Sequence, residues 1–193
     1  MHGTYSQRFA DALAMAYELH GRQRRKGSNI PYISHLMAVS ALVLEHGGDE
    51  DEAIAALLHD AVEDQGGQPT LKRIEDTFGP RVGAIVAGCS DTDVVPKPPW
   101  RERKERYIAH VHTADASVRL VSSCDKLHNA RTLLADYRLV GEALWSRFSA
   151  SRDETLWYYR SLVDAYRSHG NSAVVDELER VLDDLDALIA ARA

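Results

Sequence analysis

Apolar residues recur every three to four positions in segment after segment of this sequence, and they almost never alternate, which restricts the chain to helices. Ser6 to His20 sets Phe9, Leu13 and Ala16 or Tyr17 on one face, with Ser6 as the N-cap. Ser34 to His46 is a second helix stopped by Gly47-Gly48, and Asp49 caps a third that runs to about Asp64, before Gly66-Gly67. Thr70 opens a short capped helix ending at Gly79-Pro80, and Val82 to Val86 starts the next. Glu102 to His112, Ala116 to about Tyr137, Ser151 to Ser168 and Ser172 to Ala191 complete the series. Two stretches break the pattern: the basic loop Gly21 to Pro31, and Ser90 to Trp100, where Pro96, Pro98 and Pro99 forbid regular structure. With no strand spacing and no internal repeat, the expected class is all-α.

At 193 residues the chain reads as a single domain that can bury a core without disulfides. A formal charge of -6 argues against wrapping a nucleic-acid duplex or binding a membrane through a polybasic surface. Cys89 and Cys124 lie far apart with no paired spacing, which fits a reducing compartment. No apolar run approaches the roughly 18 residues of a membrane span, so the expected location is cytoplasmic.

The third helix contains AALLHDAVEDQ. At roughly 100° per residue, with His59 at zero, Glu63 falls near 40°, Asp60 near 100° and Asp64 near 140°, opposite the apolar face. Such a stripe is either a solvated acidic face or a set of metal-ligating and acid/base groups. Further on, LVSSCDKLHNARTLL places Asp125, Asn129 and Thr132 on one stripe, with His128 at its edge. Asp and Asn among Val and Leu are costly unless paired, and a buried metal would pair them. In PYISH, His35 stands at a helix start, where it is either structural or able to reach inward.

His35, the adjacent His59-Asp60 pair and the distant Asp125 together resemble the HD metal-dependent phosphohydrolase superfamily. More narrowly, RRKGSNIPYISH, LLHDAVED, FGPRV and DKLHNART, in that order from about Arg24 to Thr132, are similar to the hydrolase domain of Rel/Spo alarmone enzymes and small alarmone hydrolases. The resemblance implies one all-helical HD-type hydrolase domain over residues 1–193, with a motif core at about 24–132 and C-terminal helices at about 151–191. It implies one divalent metal, usually manganese, held by His35, His59, Asp60 and Asp125. Two imidazoles and two carboxylates suit a borderline first-row ion, and iron or zinc could occupy the same ligands. Glu63 and Asp64 match the pair that positions or deprotonates the attacking water.

For the substrate, Arg24, Arg25 and Lys26 are expected to contact phosphates, the alternative being an ordinary solvated loop. Asn129 matches a family Asn near ribose and phosphate, Lys104 matches a phosphate-facing lysine, and Arg152 is a further candidate. Trp157, Tyr158 and Tyr159 are either core or a surface for stacking a base. Gln65 stands where the family usually has Thr, Leu36 where it has Pro, and Cys124 where it has Ala before the Asp. No synthetase module is recognised, so degradation alone is expected. The expected substrate is a small-molecule nucleotide, guanosine tetra- or pentaphosphate, cut to pyrophosphate and GDP or GTP. The alternatives are a nucleoside monophosphate, the 2′-phosphate of NADPH, or a degenerate domain that binds a nucleotide without turning it over.

Overall fold

The structure, a computed structural model, describes residues 6–92 and 96–192. The helices are α1 (Gln7–His20), α2 (Ile33–Glu45), α3 (Glu50–Leu58), α4 (Ala61–Asp64), α5 (Gln68–Phe78), α6 (Pro80–Cys89), α7 (Trp100–Val111), α8 (Ala116–Val140), α9 (Arg152–Arg167) and α10 (Ala173–Ala190). A 3-10 helix, Gly141–Arg147, follows α8. The strand-like feature among the described residues is one isolated antiparallel bridge between Arg24 and Pro31, so the all-α reading holds. None of these helices is long and apolar enough to cross a membrane. The chain divides into two compact units: residues up to Pro98 with Asp115–Ser122, and Pro99–Ala114 with Ser123–Ala193. α8 is one continuous helix whose first turns belong to the first unit.

In the first unit, α3 packs against α1, α2 and α6. All six residues from Ala53 to Leu58 are buried. Three of them are alanines, small enough to let neighbouring helices come close, and Ile54, Leu57 and Leu58 fill the remaining space. The helix start is fixed from the sequence as expected: Asp49 accepts from the Glu52 N–H while the Glu52 carboxylate accepts from the Asp49 N–H. α1 is likewise capped by Ser6. Gly47, at φ +83°, makes the turn out of α2, and Gly48 follows with its N–H on the Val43 carbonyl at 2.8 Å.

Two local expectations are corrected. The third helix does not run unbroken to Asp64: it stops at Leu58, and α4 begins only at Ala61. The ring of His59 takes the Ala56 carbonyl, the acceptor that a continuing helix offers to Asp60. Thr70 does not start α5 either. Gly67, at φ +63°, precedes the helix, and the Thr70 hydroxyl instead donates to the Gln65 carbonyl at 2.6 Å.

In the second unit, α9 packs against α7 and α10. Ser151 and Glu154 form a capping box at the start of α9. Leu162 and Val163 on α9 and Leu178, Leu182 and Leu185 on α10 are buried. Tyr158 and Tyr159 belong to this core, while Trp157 lies under the Arg101 guanidinium at 3.2 Å. Of the proline-rich segment, Asp93 to Val95 lie outside the described residues, and the described flanks up to Pro99 carry no regular structure.

Candidate metal centre

Two helix boundaries deliver the histidines. α2 starts directly after Pro31-Tyr32, which puts His35 in its first turn, fully buried. His59 follows the last residue of α3, the most enclosed helix of the unit, and is 2% exposed. Asp60 comes next, in the break before α4.

The three side chains converge. The rings of His35 and His59 meet edge to face with centroids 5.3 Å apart, and each offers a ring nitrogen within 4.8 Å of the other's. Nε2 of His35 lies 3.6 Å and Nε2 of His59 lies 3.0 Å from the same oxygen, Oδ2 of Asp60. The Tyr32 hydroxyl donates to that oxygen at 2.6 Å. His59 fixes the chemistry, because its Nδ1 is 2.8 Å from the Ala56 carbonyl, which can only accept. Nδ1 therefore carries the proton, and in the neutral ring the Nε2 lone pair faces a carboxylate oxygen. Two electron-rich atoms hold 3.0 Å only with a proton or a cation between them. An imidazole whose far nitrogen is tied to a backbone carbonyl is the usual arrangement of a metal ligand. The donor set His35, His59 and Asp60 thus fits a first-row divalent ion.

One turn onward stand two further carboxylates. Glu63 accepts from Lys97 at 2.7 Å. Burial, together with the negative charges of Asp91 and Asp60, pushes its carboxyl above the usual range, with Lys97 pulling the other way. Asp64, exposed, accepts from the side-chain N–H of Gln23 at 2.8 Å. This geometry offers a cation site with a proton acceptor of raised affinity beside it.

The basic loop is folded back on itself. Arg25 donates its N–H to the Ile30 carbonyl and Tyr32 donates to the Gln23 carbonyl, at 2.8 and 3.0 Å. Arg24 and Lys26 are exposed, and Arg25 lies over the Tyr32 ring at 5.8 Å. In the second unit, Asp125 is 5% exposed on α8, pairs with Lys126 and accepts from Asn129 at 2.5 Å. Burial of Lys126 favours its neutral form, but the Asp125 carboxylate beside it outweighs that effect and holds the ammonium well above the usual lysine range. Lys104 on α7 lies over the Tyr158 ring at 4.9 Å, and Arg152 at the start of α9 pairs with Asp153 and Glu142.

Sequence reasoning did not single out Lys97, Tyr32, Gln23 or His20. Lys97 had a signal, being the one basic residue between Ser90 and Pro99, where it interrupts the prolines. Tyr32 had another in its place three residues before His35. Gln23 and His20 had none beyond lying within and beside the basic loop.

The HD domain family profile matches residues 12–156. A guanosine-3′,5′-bis(diphosphate) 3′-pyrophosphohydrolase, MESH1, of Danio rerio is 33% identical over 89% of this chain and 90% of its own length. The MESH1 of Xenopus tropicalis is 39% identical over 64% of this chain and 68% of its own. A probable enzyme of the same description from Synechocystis is 37% identical over 63% of this chain, which spans only 16% of that protein. Among solved structures, a metazoan ortholog of SpoT that hydrolyzes ppGpp superposes with a TM-score of 0.73 at 28% identity, covering 99% of each chain. Lmo0812 of Listeria monocytogenes superposes at 0.69 with 27% identity, over 77% of this chain and 96% of its own.

Proposed function

The chain belongs to the HD-domain family and, within it, to the guanosine-3′,5′-bis(diphosphate) 3′-pyrophosphohydrolases, and from that premise we propose that it cuts the 3′-pyrophosphate from guanosine tetra- or pentaphosphate. The products are pyrophosphate and GDP or GTP. The observation that carries this reading is the convergence of His35 and His59 on one oxygen of Asp60, with Glu63 and Asp64 a turn away.

His35, His59 and Asp60, with Asp125 as the family-matched fourth ligand, would hold the divalent metal, for which manganese is the proposed ion. When bound, such an ion polarises a phosphate oxygen and makes water more acidic. The rest falls to the side chains. Glu63, whose proton affinity is raised, accepts a proton from the attacking water, and Asp64 orients that water. The water oxygen bonds to the phosphorus on the 3′-oxygen, the phosphorus–oxygen bond to the ribose breaks, and the leaving 3′-oxygen takes up the proton that Glu63 accepted and departs as a hydroxyl. Arg24, Arg25 and Lys26 hold the phosphates, a loop of three cations being better matched to several phosphates than to one. Lys97, Lys104, Asn129 and Arg152 are the further proposed substrate contacts. The whole of 1–193 acts as one hydrolase domain on a small-molecule nucleotide, not on nucleic acid or membrane. Neither Cys89 nor Cys124 is in a disulfide, which supports a reducing, cytoplasmic setting.

The test is a product screen of manganese-loaded protein on guanosine tetraphosphate, GMP, AMP and NADPH. Intact pyrophosphate from the tetraphosphate, with little action on the others, is the expected result. Orthophosphate as the main product, or faster attack on monophosphates or NADPH, would overturn the substrate. His59→Ala and Asp60→Ala should each lose the roughly one bound ion per chain and fall to background turnover. Full activity of either variant, or of the wild type in excess chelator, refutes the metal site.

A further inference from the structure

Behind Asp64 lies a buried histidine that the reaction above does not use. His20, the last residue of α1, is 1% exposed, and its ring stacks on Tyr32 with centroids 5.5 Å apart. Its Nδ1 is 2.6 Å from Oε1 of Gln23. The same oxygen accepts from Nε2 of Gln65 at 2.8 Å, and the amide nitrogen of Gln23 donates to Oδ2 of Asp64 at 2.8 Å.

An isolated glutamine side chain can rotate by 180° and exchange its donor for its acceptor at little cost. Here it cannot. The Asp64 carboxylate can only accept, so the end of Gln23 that faces it is the amide nitrogen, and the other end, which faces the His20 ring and the Gln65 amide, is the oxygen. His20 is itself held to one form. The tautomer protonated on Nε2 would set an Nδ1 lone pair against the Gln23 oxygen, and it would bury an N–H at Nε2, where no hydrogen-bond partner stands. Burial also holds the ring below the ordinary histidine range, so the neutral form prevails near pH 7.

We propose that His20 and Gln65 are positioning residues which lock the Gln23 amide so that it holds the Asp64 carboxylate in its working orientation. The role given to Asp64 rests on the hydrolase reading, but the lock itself does not, and the experiment separates the two.

With 15N-labelled, metal-free protein near pH 7.5, the His20 ring should appear neutral and protonated on Nδ1. The Nε2-protonated tautomer or a doubly protonated ring overturns the lock whatever the enzyme does. For catalysis, His20→Phe should lower kcat by about 10-fold with KM within about 2-fold, since the effect falls on the reacting geometry rather than on binding. His20→Asn, whose amide N–H stands close to the Nδ1 position, should recover most of that loss. Gln23→Leu should cost as much as His20→Phe, and the double variant no more than either, because both act through one contact. Equal losses for Phe and Asn, a loss confined to KM, or additive losses refute the proposal. Should His20→Phe fail to fold, Gln23→Leu and Gln65→Leu decide alone: a lower kcat at constant KM supports the lock, and unchanged kcat in both overturns it. Absence of turnover in the wild type would instead count against the hydrolase reading and leave the tautomer result standing.

Discussion

α3 and α10 are both helices that bury leucines, yet they do different work. α3 is covered on every side from Ala53 to Leu58. α10 buries one stripe, Val174, Val175, Leu178, Leu182 and Leu185, and turns its acidic residues outward to Arg131, Arg160 and Arg167. A helix packed all round has no direction in which to shift, so its final residue fixes the position of the next one along the chain. At the end of α3 that next residue is His59. A helix packed along one stripe needs only the stripe, and its outer face can change freely.

Cutting the same atoms from each helix tests this difference. Leu58 and Leu182 are both fully buried. Leu58→Ala and Leu182→Ala should each cost about 2–5 kcal/mol in denaturant unfolding. In isothermal titration with Mn2+, Leu58→Ala should also lose affinity, because the cavity opens beside His59, while Leu182→Ala should bind as the wild type does. Equal affinities in the two variants would remove the link between the packing of α3 and the site.

Glu63 sharpens the comparison on the chemical side, since it sits just beyond the same helix end. Glu63→Gln keeps the shape and removes the proton acceptor, so kcat should fall by about 10²-fold with metal still bound. The pH profile carries the sign. Burial and the charges of Asp91 and Asp60 raise the carboxyl of Glu63 while a bound divalent ion would draw it down, so wild-type kcat should fall as pH drops through the value that this balance sets. Lys97→Met removes the cation that opposes the rise and should move this acidic limb to higher pH. For stability the dependence reverses: a raised carboxyl favours the fold below the ordinary carboxylate range and loses that contribution as pH climbs through the raised value. An acidic limb that stays in place in both variants would take Glu63 out of the reaction.

Much of this was legible in the sequence because it follows from period and punctuation. Ser6, Asp49 and Ser151 cap where polar residues meet an apolar period, and Gly47-Gly48 stops α2 as read. His35 and His59-Asp60 stood out through their spacing with the distant Asp125, which resembles the HD superfamily, and Asp125 and Asn129 through the cost of polar groups among Val and Leu. The break at His59 was not legible: the apolar period runs straight through it, and the helix is interrupted by a side chain taking a backbone carbonyl, which leaves no periodic trace. The same holds for the pairing of Lys97 with Glu63 and for the Gln23 bridge, which join residues 34 and 41 positions apart. Sequence patterns report the face a residue lies on, not the partner it finds across the fold.

The smallest effect belongs to the outer face of α10. Arg160 reaches from α9 to Asp183 and Asp186 at 2.8 and 2.5 Å, and all three side chains are at least a third exposed. In such a setting, water screens the charges and the fixed geometry costs side-chain entropy, so exposed pairs contribute at most about 1 kcal/mol. The second acceptor adds little, because one guanidinium already satisfied by Asp186 gains less from Asp183. Arg160→Ala should therefore lower unfolding free energy by less than about 1 kcal/mol, and the loss should shrink further in about 0.5 M salt, where the screening length falls to a few ångströms. Metal binding and kcat should not move. A loss of several kcal/mol that salt does not reduce would mean that the aliphatic stem of Arg160 is packed into the α9–α10 contact, and that α10, like α3, is held on more than one face.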